Sequence, residues 1–422
     1  MDPSKVMTTA TNRQGQPDSP PVNDRLEALT VDLPAEELAL VSAAASLVPA
    51  LSAGAETADA TGRLADEDIA ALRKEGLFRL ATPRKYGGHE AGACAATAIA
   101  AEVARGCPSA SWVLTVYYTA GIALWLFPDQ VRHRVWDEDP DATVCGSSAG
   151  AAPAREVTGG YLISGRWGWA SGIHNASWAI LSVVSEPGAA PQESGFALVP
   201  TSELAVADTW NMAGMRGTGS DTIIAEDVFV PEEQVIFPSR AARAAMAAGA
   251  VHQVQGPLSV PKPQGLMGAL AAPVLGMGMA IYDHVVAKLS GGRPLATATK
   301  SPARAIDSPA VQANVAEAAM LIDSAILQAA RTAHAVDRAT RTGAQLSALA
   351  IARTRMDCGF AARQIRRAAD KLLDVGGASR FADSDPAQRI WRDLGTATRH
   401  PTFITELDRE QYARLLLGLQ RQ

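Results

Sequence analysis

The chain has 422 residues, of which 47% are hydrophobic and 19% charged, and its formal net charge is −6. These values describe a globular protein of two or three domains, long enough to bury a core, and exclude a disordered chain, a disulfide-stapled peptide scaffold and a fibre. The mild acidity supplies no basic field for phosphates, so nucleic acid is not an expected partner.

Residues 1–32 are rich in Ser, Thr, Pro, Asn and Gln, carry charges of both signs and lack an apolar h-region, so the sequence predicts a disordered leader and not a secretory signal. Residues 33–140 read as a helical domain. Asp66, Glu67 and Asp68 form an acidic first turn ahead of Ile69 and Leu72, Gly76 ends that helix, and Pro83 with Gly87-Gly88 marks the next boundary. In residues 141–238 the texture changes to short β-branched or aromatic runs, around Tyr161-Leu162-Ile163 and over 178–184, 196–199 and 223–230, separated by Gly, Ser and Pro. That spacing predicts a small β-domain.

Residues 239–422 return to helix. The stretch between Lys262 and Asp283 has no charge and raises the question of a membrane span. Pro273, the clustered Gly265, Gly268, Gly276 and Gly278, the isolation of the run and the lack of flanking aromatic and cationic belts favour a buried bundle helix. Val311, Val315, Ile322 and Ile326 lie on one helical face, as do Leu349, Met356 and Phe360, and Thr342-Gly343 separates the two helices. An antiparallel bundle of the four-helix type follows. Cys94, Cys107, Cys145 and Cys358 have no CxxC spacing and no neighbouring histidine pair, so neither a disulfide framework nor a metal site is expected and a reducing cytoplasm is the expected location.

The common catalytic signatures are missing: there is no GxGxxG after a strand, no GxxxxGK[ST], no HExxH and no GxSxG. The loop from Gly214 to Ser220 is glycine-rich, but it lacks a lysine and leads into a strand, so no helix N-terminus faces a phosphate there. The informative features are four segments in a fixed order: GLFRLATPRKYGG, GGYLISGRWGWASG, DTWNMAGMRGTGSDTIIAEDVFVP and DPAQRIWRDLGTATRH.

Through these segments the chain resembles the acyl-CoA dehydrogenase fold, and more narrowly its two-component flavin-dependent monooxygenases of the p-hydroxyphenylacetate hydroxylase, dibenzothiophene monooxygenase and secosteroid hydroxylase kind. The resemblance covers nearly everything after residue 33. It implies an α+β fold with an N-terminal helical domain, a middle β-barrel-like domain and a C-terminal four-helix bundle. It also implies a flavin between the last two, a homotetramer, and a separate reductase that delivers diffusible reduced FMN or FAD for reaction with O2. A C4a-hydroperoxyflavin would then oxygenate a small aromatic or heteroatom-bearing metabolite. No nicotinamide fingerprint occurs in the chain, in keeping with a separate reductase.

The resemblance also implies roles for particular residues. The W-x-[ST] element reads Trp169-Ala170-Ser171: Trp169 would cover an edge of the ring, and Ser171 would hydrogen-bond flavin N5. Ser147 and Ser148 occupy a strand end that meets the flavin rim in relatives, or else cap a turn. Trp112, Gly376, Gly377 and Arg304 complete the flavin set, with Lys300 and Arg304 candidate phosphate contacts that read more readily as solvated surface charge, and Trp112, Tyr117, Met215, Arg216 and His400 form the substrate wall. After Arg392-Asp393 no glutamate stands where acyl-CoA dehydrogenases carry their base. His400 lies there, an imidazole suited to deprotonating a phenol or amine.

Two departures matter: the helix after the S-x-x-W element has Tyr117, Tyr118, Thr119 and Ala120 but no histidine, and Leu373 stands where FAD-binding dehydrogenases place Gln. The first argues against simple phenols, and the second leaves FMN and FAD both open. The alternatives are a flavin dehydrogenase acting on an acyl thioester, for which Glu406 is the nearest acid, and a catalytically silent assembly subunit.

Overall fold

The computed structural model describes residues 23–185, 193–239, 268–292, 304–344 and 346–419. Helices α1 (Glu27–Thr30), α2 (Ala35–Thr61), α3 (Asp66–Lys74), α4 (Ala93–Gly106), α5 (Pro108–Ala123) and α6 (Asp129–Trp136) form the first layer. Three acids open α3 and Gly76 follows its end in the left-handed conformation at φ 71°, as the acidic turn and glycine signals require. Proline at the first position of α5 turns the chain sharply out of α4.

The expected leader is shorter than the sequence suggests. Residues 1–22 lie outside the described part, but Leu26 and Leu29, three apart on one helical face, are fully buried in the main core. Asn23 donates its N–H to Glu102, and Arg25 pairs with Asp323 while covering the Tyr282 ring at 4.3 Å. Two leucines on one face bring apolar surface that the polar composition around them conceals.

Strands β1 (Val144–Val157), β2 (Gly160–Trp167), β3 (Trp178–Ser185), β4 (Ser194–Pro200), β5 (Ala205–Ala207), β6 (Thr222–Pro231) and β7 (Val235–Ile236) form one sheet in the order β5-β6-β2-β1-β3-β4-β7. Every adjacent pair is antiparallel except β1 with β3. Among the described residues its end strands β5 and β7 are not paired to each other, so the barrel-like expectation resolves as a sheet with two ends. The register places Trp167 at the end of β2 opposite Ile223 at the start of β6. Whatever follows β2 therefore lies beside whatever precedes β6.

The carboxyl-terminal layer contains α7 (Ala271–Ser290), α8 (Pro309–Thr342), α9 (Ala348–Gly376), α10 (Pro386–Ala397) and α11 (Thr405–Leu416). Helices α8 and α9 are long and joined through Gly343 at φ 64°, as the stride and the Thr-Gly break predict. The uncharged stretch becomes α7, packed against α4, α8 and α9, with 72% of its most apolar window buried. It is not isolated, since α2, α8 and α5 together with the turn that continues it to Leu126 also have the length and apolar composition of a span.

Val311, Ile322 and Ile326 face the core. The second expected stripe does not: Phe360 is 46% exposed, while Ala361, Ala362, Ile365, Ala368, Ala369 and Leu372 carry the buried face of α9. Small side chains let neighbouring helices approach closely, and a stripe of bulkier side chains loses that contest to alanine.

Candidate active site

Two loops build the site. The first, Gly168 to Gly172, leaves β2 and holds Trp169 at φ 63°, a conformation sparsely populated outside glycine. The second, Met215 to Asp221, enters β6. Ala170 N–H donates to the Asp221 carbonyl at 3.1 Å and Gly172 N–H to the Thr218 carbonyl at 3.0 Å, lacing the loops together. This lacing brings Ser171 to Ser220 at 2.7 Å, and Ser220 lies 2.7 Å from Thr218. Thr218 in turn donates to the Met215 carbonyl at 2.8 Å.

Trp169 is 60% exposed and meets Trp210 edge to face at 5.3 Å. The Trp210 indole N–H is fixed on the Met215 carbonyl at 2.9 Å, and its backbone N–H on Asp221 at 2.9 Å. Asp221 also takes Thr209 N–H and lies 2.7 Å from His174 Nε2. Burial alone would raise the Asp221 carboxyl, but the hydrogen bonds from His174, Thr209 and Trp210 outweigh it and hold the group below the usual carboxylate range. His174, Asp221, Trp210, Thr218 and Ser220 thus form the frame behind Ser171. The sequence signal for His174 was its place three residues after Ser171, and for Asp221 its place beside Ser220.

The seam between this frame and the carboxyl-terminal layer is closed by α10. Met215 N–H donates to Asp393, which is fully buried. Burial pushes the Asp393 carboxyl up to about 7, against the opposing pull of the Met215 N–H. A folded-state value raised from an unfolded one near 3.9 means that ionised Asp393 opposes folding, so its stabilising protonated form is lost as pH rises from about 4 through about 7. Asp393→Asn keeps an acceptor for Met215. It is expected to abolish up to about 4 kcal/mol of stability change across that window. Chemical denaturation at pH 5.5 and pH 8 checks this, and equal slopes in parent and variant contradict it.

His400 lies beside Trp112 of α5, the rings edge to face at 5.7 Å. Its Nδ1 accepts the Thr402 N–H at 3.2 Å and lies 3.0 Å from the Thr402 hydroxyl. Burial lowers the ring's pKa, so the neutral form is held. With Nδ1 occupied as acceptor, the ring proton stands on Nε2, which has no protein partner among the described residues. The imidazole therefore offers a donor, not the free base lone pair expected from the sequence.

Other sequence candidates are engaged elsewhere. The Tyr117 hydroxyl donates to the Gly172 carbonyl, so Tyr117 supports the first loop from behind. Ser147 and Ser148 lie inside β1, not at a strand end or in a turn: the Ser147 hydroxyl donates to the Gly168 carbonyl and accepts Ala149 N–H where the β1–β3 register shifts, while Ser148 is exposed. Met215 is buried at φ 57°, and Arg216 reaches the Asp59 and Met212 carbonyls.

Gly376 makes room for Arg380, whose Cγ would stand 1.9 Å from an added Cβ, and Gly377 adopts φ 62° to end α9. Arg304 holds Asp307 through two bonds of 2.8 Å, and Lys300 lies outside the described residues. A separate cleft is lined by Glu90, Thr97, Tyr118, Thr332 and Asp337 and contains none of these groups.

The set fits an isoalloxazine. Trp169 offers an uncovered indole to a flat ring, and Ser171 offers a hydroxyl oxygen to an N–H.

Comparison with known proteins agrees. The acyl-CoA dehydrogenase N-terminal domain model matches residues 34–130 and its C-terminal domain model residues 269–404. The chain is 31% identical over 390 residues to the oxygenase component of an FADH2-dependent resorcinol hydroxylase from Rhizobium sp. (strain MTP-10005), covering 90% of this chain and 94% of that protein. It is 30% identical to the oxygenase subunit HsaA of a flavin-dependent monooxygenase from Rhodococcus jostii (strain RHA1), covering 84% and 92%. The solved structure of XiaF from Streptomyces sp. in complex with FADH2 and glycerol superposes with a TM-score of 0.84 at 31% identity, covering 91% of this chain and 96% of that one. Matched at both ends and along most of its length, the chain belongs to the flavin-dependent monooxygenases of the acyl-CoA dehydrogenase fold, enzymes that work with reduced flavin and O2.

Proposed function

We propose that this enzyme hydroxylates an apolar, fused or substituted aromatic metabolite, using reduced FAD handed over by a separate flavin reductase. The observation that carries the substrate class is the state of the polar groups on α5. Tyr117 and Tyr118 donate their hydroxyls to the backbone carbonyls of Gly172 and Ala91, and Thr119 to those of Thr115 and Val116. The wall offered by α5 is therefore apolar apart from the Trp112 indole N–H and its His400 neighbour, and a guest needs few polar handles. Reduced FAD is favoured over FMN by relatives named for or bound to FADH2.

Bound reduced flavin supplies the two electrons and, with O2, the oxygen-transfer chemistry. The protein's own part is to receive the ring against Trp169, hold the N5 proton at Ser171 Oγ, exclude water with the α5 wall, and present the His400 Nε2–H to the substrate's oxygen or nitrogen. Exposed apolar side chains on α8 and α11, such as Met320 at 72%, Leu327 at 60% and Leu407 at 63%, favour a homo-oligomer, for which a tetramer is proposed. Four buried free thiols suit a cytoplasmic enzyme.

The test supplies purified protein with a flavin reductase, FAD and ¹⁸O2 over a panel running from resorcinol to indole-type and larger fused aromatics. Labelled product is expected with the larger rings. Anaerobic bleaching of bound oxidised flavin by an acyl-CoA, with no labelled product, sinks the reading.

A histidine pair tests the donor. His400→Gln places an amide N–H near the Nε2 position and is expected to keep product formation within about tenfold, whereas His400→Asn keeps only the Nδ1 contact and is expected to lose on the order of 100-fold. Equal losses in both would return His400 to the role of base.

A further inference from the structure

The hydroxyl groups behind Ser171 can be assigned a direction from donor counting alone. Thr218 Oγ1 lies 2.8 Å from the Met215 carbonyl, which can only accept, so the single Thr218 proton is spent there. Thr218 must then accept from Ser220 at 2.7 Å, which spends the Ser220 proton. Ser220 must in turn accept from Ser171 at 2.7 Å, which spends the Ser171 proton. The outcome is a one-way chain ending on the carbonyl of Met215, a residue whose N–H donates to the Asp393 carboxyl. Ser171 is left with lone pairs and no proton to offer.

We propose that Thr218 and Ser220 are positioning residues that fix the Ser171 hydroxyl as an acceptor, so that it receives the flavin N5–H and cannot turn a proton toward it. The inference rests on the role given to Ser171 above and deepens it. A lone serine opposite N5 can rotate between donating and accepting. Here rotation would leave Ser220 without its donor inside a buried cluster, where an unmet hydrogen bond is costly. All three residues are buried, so water is a poor substitute for the missing donor. Between the two hydroxyl residues Gly219 takes φ 50°, and a Cβ there would stand 2.8 Å from the His174 ring, so the loop needs glycine at that point.

Thr218→Val is the direct test. It keeps the shape of the side chain, and the Met215 carbonyl retains the Trp210 indole N–H at 2.9 Å, so the loop keeps a bond at that point. Thr218→Val and Ser220→Ala are each expected to raise the ratio of peroxide to hydroxylated product on the order of tenfold, the effect of one hydrogen bond. Thr218→Ser should restore the parent ratio. In a Ser171→Ala background Thr218→Val should add less than about twofold, because the chain then has no terminus to orient.

A readout independent of turnover is the N5 proton of ¹⁵N-labelled reduced FAD bound under anaerobic conditions. Its exchange with solvent should quicken in Thr218→Val and Ser220→Ala and stay slow in Thr218→Ser. If Ser171→Ala changes the ratio while Thr218→Val and Ser220→Ala leave both ratio and exchange at parent values, the proposed chain is wrong and the Ser171 role stands. If Ser171→Ala itself changes nothing, the Ser171 role falls and takes the chain with it. Full additivity of Thr218→Val with Ser171→Ala also overturns the proposal.

Discussion

Ser171→Ala is expected to leave the fold intact and to turn most of the oxygen consumed into hydrogen peroxide. The side chain is small and buried, and its removal frees only Ser220, whose neighbour Thr218 remains. The stability cost should stay near 1 kcal/mol. Its effect on coupling should be far larger. The hydroxyl oxygen is the acceptor that the two laced loops deliver to the seam, and holding the N5 proton in a dry site is what keeps oxygen transfer ahead of peroxide release. A bond worth roughly 1.5–3 kcal/mol corresponds to a 10- to 100-fold rise in the peroxide-to-product ratio. Peroxide trapping beside product chromatography reads it, and an unchanged ratio contradicts the role.

Gly214→Ala should be the most damaging single change for the seam itself. A Cβ at this position would stand 2.2 Å from the Arg392 carbonyl oxygen, 2.3 Å from its carbon and 2.6 Å from the Asp393 nitrogen. All three are backbone atoms of α10, so no side chain can swing aside. The loop must withdraw from the helix, and the buried Met215 N–H then loses Asp393. Overpacking of this kind and the orphaned pair together should cost roughly 3 kcal/mol. Arg392 also holds Asp59 and the Ala213 carbonyl, so the withdrawal spreads to α2. Loss of thermal stability should coincide with loss of flavin binding, measured by fluorescence. A variant with the parent melting temperature and flavin affinity would show that the loop and α10 are not a unit.

Much of the fold was legible because it is local. The acidic start of α3, the Gly76 stop, the Thr342-Gly343 break and the short aromatic runs of the sheet each follow from residues near one another in the chain. The errors came where packing between distant segments decides. Leu26 and Leu29 find a core that their polar surroundings hide, and Phe360 is displaced to the surface by a run of alanines that allows closer contact.

The site divides in the same way. The Trp169-Ala170-Ser171 and Gly214–Ser220 segments stood out separately, but nothing in either says that Ser171 meets Ser220, a contact 49 residues apart in sequence. His174 and Asp221, 47 apart, meet through the same kind of long-range contact, which neither local sequence announces. The His400 tautomer is a different case, since a backbone N–H two residues away sets it, and only the turn geometry reveals that it points at Nδ1. Tyr117 looked like a wall residue because its phenol had no visible partner in sequence. The Gly172 carbonyl supplies one.

Where the flavin ring sits decides the role of Ser171. A structure of the protein soaked anaerobically with reduced FAD should place N5 about 3 Å from Ser171 Oγ, with the ring against the exposed face of Trp169. Density for the ring elsewhere, or N5 facing a group other than Ser171, would contradict it.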